Sequence, residues 1–183
     1  MKKLILLALF AGTSLMSLAQ ECATEPVALK FTKAAITSFE PVVSYAKLTR
    51  MTNSTSQWPV IQLSLANFDT KPGFMGLESG TEKNQLVMNF TFNGKPVAWG
   101  ADVPELTTGS YVKKASSDIE GSLSFSIDNG GETVQGLFRS YADVEGSAEL
   151  LEIGADYVCF RINLKDKVTG DYVTMAAKVR LFR

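Results

Sequence analysis

The chemistry open to this chain is bounded first by a residue it lacks: it contains no histidine. That excludes Ser-His-Asp and Cys-His nucleophilic catalysis, His-ligated zinc, iron or copper, and imidazole pH switching. What remains is carboxylate, tyrosine, lysine and hydroxyl chemistry. An enzyme of this composition would be a two-carboxylate glycosidase or a calcium-dependent protein. With 19 Asp and Glu in the chain some close pair is inevitable, so a pair alone is no evidence. The local acidic clusters are Asp128 beside Gly130 and Gly131, and Asp166 with Asp171. Neither has calcium-loop spacing, and Asp beside Gly is ordinary turn chemistry. The sequence therefore nominates no catalytic residue, no metal ligand and no cofactor.

Binding chemistry is better represented. Tyr157, Arg161, Asn163, Tyr172, Lys178 and Arg180 share one parity along two adjacent period-two segments, so cations and amphipathic rings alternate on one sheet face. Such a face can receive an anionic glycan or an acidic strand, or it can be an ordinary solvated surface. Trp58 has the parity of Gln62 and Ser64 rather than that of Ile61, Leu63 and Leu65. It can stack on a sugar from there, or cap the end of the fold beneath a loop. Phe68 and Phe74, with Met75, lie in a long stretch without strand character, 67–84, and loops of that length are usually functional or mobile. The candidate ligand-binding residues are thus Trp58, Phe68, Phe74, Tyr157, Arg161, Tyr172 and Arg180.

The elements that must position these groups are strands. From Pro26 onward apolar residues alternate with period two and turn residues interrupt at short intervals, which predicts strands over 27–31, 42–49, 60–65, 86–92, 95–99, 122–127, 133–139, 148–153, 157–164 and 172–181. The spacing leaves no room for helical crossovers, so pairing should be mostly antiparallel. Asn93-Gly94 predicts a two-residue hairpin that sets Phe92 opposite Lys95 and Met88 opposite Trp99, with Trp99 in the core. Asp128-Asn129-Gly130-Gly131 predicts a second hairpin, with Leu123, Phe125 and Ile127 on the apolar face and Val134, Gly136 and Phe138 opposite them. The last three strands form a meander whose inward face reads Leu151, Ile153, Val158, Phe160, Ile162 and Leu164, then Val173 to Leu181 at alternate positions. One buried face and one wet face per sheet is sandwich patterning, so the expected fold is an all-β antiparallel β-sandwich, with a closed antiparallel β-barrel as the alternative. A second irregular segment, 102–114, carries Pro104, Gly109 and Tyr111.

Lys2 and Lys3, the apolar run 4–10 and the small residues Ser17 and Ala19 read as a secretory signal peptide cleaved after Ala19, too short to span a membrane. The expected organisation is a signal peptide over 1–19 and a single all-β domain over 20–183. Loss of both lysines leaves 16 Lys and Arg against 19 Asp and Glu, a charge that argues against nucleic acid as a partner. No transmembrane segment is expected in the mature chain. Cys22 and Cys159 are the only cysteines, and export to an oxidising compartment predicts a disulfide between them. Because Cys159 lies between the inward-facing Val158 and Phe160, the bond should lie on the outside of the C-terminal sheet. A lipid on Cys22 is disfavoured by Glu21, since that attachment wants a small residue before the cysteine.

The Ser17-Leu18-Ala19-Gln20 exit, Gly109-Ser110-Tyr111 and Gly121-Ser122-Leu123-Ser124-Phe125 resemble small secreted β-proteins of Bacteroidota, many of unknown function. Gly170-Asp171-Tyr172 and Lys178-Val179-Arg180 resemble the C-terminal sorting domains of such bacteria, but the spacing is too short and the proline-containing motif expected upstream is absent, so that function is not carried over. The resulting expectation is a secreted or periplasmic binding or structural protein that recognises a surface glycan or a protein partner. The alternatives are a barrel-type carrier of a small apolar ligand and a carboxylate glycosidase.

Overall fold

The computed structural model describes residues 22, 24–32, 36–73, 76–115, 117–130, 132–133 and 143–183. The expected signal peptide, Phe74, Met75 and most of the strand expected over 133–139 lie outside them. The described residues form thirteen strands: β1 (Glu25–Lys30), β2 (Val43–Thr52), β3 (Ser56–Ala66), β4 (Pro72–Gly73), β5 (Gly76–Leu77), β6 (Leu86–Asn93), β7 (Val97–Ala98), β8 (Gly109–Tyr111), β9 (Ser122–Asn129), β10 (Glu132–Thr133), β11 (Val144–Ile153), β12 (Tyr157–Asp166) and β13 (Tyr172–Phe182).

Hydrogen bonding runs β10-β9-β6-β3-β2-β13-β12-β11-β8, with β1 added to β13 and β7 to β3, and β4-β5 as a separate hairpin. The path folds over where β2 meets β13, the one place among the described residues where strands pair in parallel, through Leu181 with Ala46 and Phe182 with Lys47. The strands before and after that join are the two layers of a β-sandwich. At the opposite edges the described residues of the two layers pair through one parallel bridge, Val112 with Ser122. One residue pair is not a ladder, so the sandwich is stitched there rather than closed into a barrel.

Inward residues of both layers merge into one core. Phe90, Phe92, Phe160, Ile61, Leu63, Leu65 and Met88 are fully buried in it, each contributing about 1.5–3 kcal/mol by leaving water. The meander behaves as its alternation predicts: Tyr157 faces Arg180, Val158 faces Val179 and Ile162 faces Met175. One position departs. The register shifts between Leu150 and Glu152, so Leu150 is buried against Phe160's partner position while Leu151 is the extra residue of a bulge and only half-buried. A bulge resets a period-two pattern without leaving a trace in the residue types.

The Asn93-Gly94 hairpin does not form. Both edges of β6 are already occupied, by β3 and by β9, so no edge remains for the chain after Asn93 to pair with. It turns away instead and β7 pairs with Ser56 and Gln57 of β3. Gly94 donates its N–H to the Pro59 carbonyl, and a Cβ there would come within 2.7 Å of both Pro59 and Leu106. Glycine is therefore needed at 94 for close approach. A strand residue's N–H and C=O point to the same edge, so the N–H that Pro59 lacks faces the gap between β6 and β7, where no strand requires it. Trp99, expected in the core, is 57% exposed and donates its indole N–H to the Asn53 carbonyl. Of the second hairpin the first two pairs are described, Glu132 facing Asn129 and Thr133 facing Asp128, while Val134, Gly136 and Phe138 lie outside the described residues.

The stretch 67–84 is not a free loop. Its β4-β5 hairpin lies on the outer side of β3 and β6, where Leu77 packs with Ala66 and Val87 in a second small cluster bordered by Val43, Tyr45 and Phe68. This cover explains why β3 is buried on both faces.

Candidate functional site

Cys22 and Cys159 are bonded, with Cα atoms 5.6 Å apart. Cys159 is fully buried, yet it is absent from the core cluster to which its neighbours Val158 and Phe160 belong. Its cross-strand partners are Lys178 and Glu152, on the outer face. Cys22, ahead of β1, reaches it over that face. β1 runs antiparallel along β13 from Glu25 opposite Ala176, and the chain before it crosses β13 to reach β12. The disulfide is thus an outside strap, as the parity of Cys159 requires.

The strap divides the outer face into two regions. Beyond it lie Arg161, Asn163 and Tyr172. Arg161 is committed to the Glu149 carboxylate at 3.4 Å, and Tyr172 stands opposite Lys165 and Lys30. Tyr172 and Phe182 mark the two ends of β13, about 33 Å apart at the rise of an extended strand. Arg161 and Tyr172 therefore do not join the residues at the other end.

At that other end the structure gathers a continuous aromatic and cationic stripe across three strands. Lys178 places its ammonium 3.7 Å from the centroid of Tyr157, and the Arg180 guanidinium lies 5.1 Å over Phe182. Phe182 stacks on Tyr45 with centroids 5.3 Å apart and planes at 26°. Lys47 is opposite Phe182 on β2. Tyr45 borders the same small cluster as Phe68, so the stripe extends from Tyr157 to Phe68. Phe182 is 41% exposed although it is paired with Lys47 of β2. Among the described residues Lys47, Lys178 and Arg180 have no carboxylate partner, while Glu152 is the acid in the stripe, accepting a hydrogen bond from the Tyr157 hydroxyl. That hydrogen bond, with smaller contributions from desolvation and from the charges of Glu152 and Asp156, raises the Tyr157 phenol above its ordinary value. Tyr157 thus stays a neutral donor at any physiological pH.

Of the residues nominated from sequence, Tyr157, Arg180 and Phe68 lie on this stripe. Trp58 does not. It is 8% exposed, beneath neighbouring chain, and donates its indole N–H to the Asn93 side chain at 3.0 Å. Phe74 lies outside the described residues. Tyr45 and Phe182 were not nominated: period two shows each to be outward-facing, but no turn joins β2 to β13, and their contact depends on a parallel join between strands far apart in sequence.

No family model, curated protein or solved structure matches this chain. The stripe is therefore interpreted on its own chemistry. No helix among the described residues is long and apolar enough to cross a membrane.

Proposed function

We propose that this is an exported binding protein that holds an anionic surface glycan along the stripe from Tyr157 to Tyr45. The observation that carries the reading is the exposed Phe182, stacked on Tyr45 and flanked by the cations Arg180 and Lys47. A sugar's C–H face packs on such rings, and guanidinium and ammonium groups pair with its carboxylates or sulfates. The disulfide fits an oxidising location. The polar groups are spread over three strands, a shape suited to an extended polymer rather than to a compact substrate.

Two measurements test this. Intact mass of the exported protein is expected to start at Gln20 with no lipid on Cys22; a diacylglyceryl increment or retention of 1–19 would contradict the export reading. Affinity electrophoresis in polygalacturonate is expected to retard the protein, with retardation falling as salt rises, while neutral dextran does little. An Arg180→Gln, Phe182→Ser double variant should lose about tenfold in affinity, each contact contributing about 0.7 kcal/mol. Arg161→Gln, off the stripe, should change nothing. Equal retardation by both polymers, or an unaffected double variant, would sink the proposal.

A further inference from the structure

At one end of the sandwich the two layers part around a cavity of about 490 Å3 that shares no residue with the outer stripe. Its apolar wall is made by Leu48 and Pro59 of one layer, Ile153 of the other, and Val103, Pro104 and Leu106 from the segment between β7 and β8. Leu106 is anchored: it is buried in the main core and in near contact with the Gly94 backbone. The volume and the mostly apolar lining are those of a small-molecule site.

Two guanidiniums also line this cavity, and the strand pattern shows that their placement breaks a rule. On β2 the inward positions are Ala46, Leu48 and then Arg50, which is opposite Pro59. On β13 the inward positions end with Val179 and Leu181, and Arg183 follows with the same parity. Each strand therefore presents a cation where its apolar series reaches the cavity. Arg183 is held in place, its Nε donating to the Ala155 carbonyl at 3.0 Å and its Nη2 to the Gly154 carbonyl at 3.1 Å. Arg50 has no such engagement among the described residues, and neither guanidinium has a carboxylate partner there. Glu105, the acidic side chain among the described lining residues, is ion-paired with neither.

The geometry points to a binding site for a small amphipathic carboxylate, its head at Arg50 and Arg183 and its chain against Leu48, Pro59, Leu106 and Ile153. A wholly apolar ligand would leave two guanidinium charges to be desolvated without a counter-charge, which is costly. A highly charged anion would waste the apolar wall and meet Glu105. One negative charge on an apolar body satisfies both the charge and the lining, and Arg is the cation whose planar fork matches a carboxylate.

The test is calorimetric titration of the mature protein with decanoate below its micelle threshold, with decanol as the uncharged control. Decanoate is expected to bind at one site per chain, at least about tenfold tighter than decanol. Arg50→Met, which keeps the apolar stem and removes the charge, should weaken decanoate about tenfold and leave decanol unchanged. Glu105→Gln should tighten decanoate. Thermal melts of both variants should match the parent, since both side chains are exposed. Failure of decanoate to bind, decanol binding as tightly, or an Arg50→Met variant with unchanged decanoate affinity would each overturn the proposal. None of these outcomes bears on polygalacturonate binding, which uses the other face of β2 and β13.

Discussion

A Cys22→Ser, Cys159→Ser double variant is expected to fold and to melt roughly 5 to 15 °C below the parent. The bond joins residues 137 apart in sequence. Closing so long a span gives about 4–5 kcal/mol in the chain-entropy treatment and more often about 2–4 in practice, each kcal/mol moving the midpoint of a domain this size by about 2–4 °C. Folding should survive because the strap is not the sole attachment of the N-terminus. β1 pairs with β13 through Leu29 opposite Val173 and Lys30 opposite Tyr172, and Leu29 and Phe31 are in the main core. Asp171 adds a second clasp, accepting hydrogen bonds from the Thr32 N–H and hydroxyl. Scanning calorimetry of the non-reduced parent and the variant decides it. An unchanged midpoint would mean that the strap constrains nothing in the unfolded chain, and failure to fold would mean that β1 cannot dock without it.

How far the sequence revealed this molecule depended on whether a feature was local. The β12-β13 register was readable because the turn over 167–170 and period two together fix which residues face each other. The position of the disulfide was readable for the same reason, from the parity of Cys159 between Val158 and Phe160. Asn93-Gly94 misled because its local hairpin preference was overruled by two non-local strands that occupy β6. That displacement also moved Trp99 from the expected core to the surface. The candidate site divides along the same line. Tyr157 opposite Arg180 is a pairing within the meander and was legible. Tyr45 on Phe182 arises where two layers meet in parallel, and Arg50 with Arg183 where the layers part, and neither arrangement has a turn or a motif that would announce it. Aromatic and cationic residue types could be flagged in advance, but their convergence could not.

The second large effect is expected at Gly146, in a stretch that period two did not identify as strand at all. Gly146 lies in β11 opposite Leu164 with φ of +103°, a conformation that L side chains rarely adopt. A Cβ built there would fall 1.9 Å from the carbonyl oxygen of Asn163. That oxygen belongs to the β12 backbone, paired on its other side with β13. No rotamer change can clear it, so the β11-β12 ladder would have to open. Gly146→Ala is therefore expected to cost about 3 kcal/mol or more, from about 1–3 of backbone strain plus the steric displacement. The midpoint should then fall by roughly 6 to 12 °C. Gly109 separates the two contributions, since its φ is +136° and nothing lies within 4 Å of its would-be Cβ. Gly109→Ala should therefore show the conformational cost alone, a fall of roughly 2 to 12 °C and smaller than that of Gly146→Ala. Thermal melts of the two variants side by side give the comparison. If both fall equally, the Asn163 carbonyl yields at no cost, and the packing of β11 on β12 is looser than this backbone contact requires.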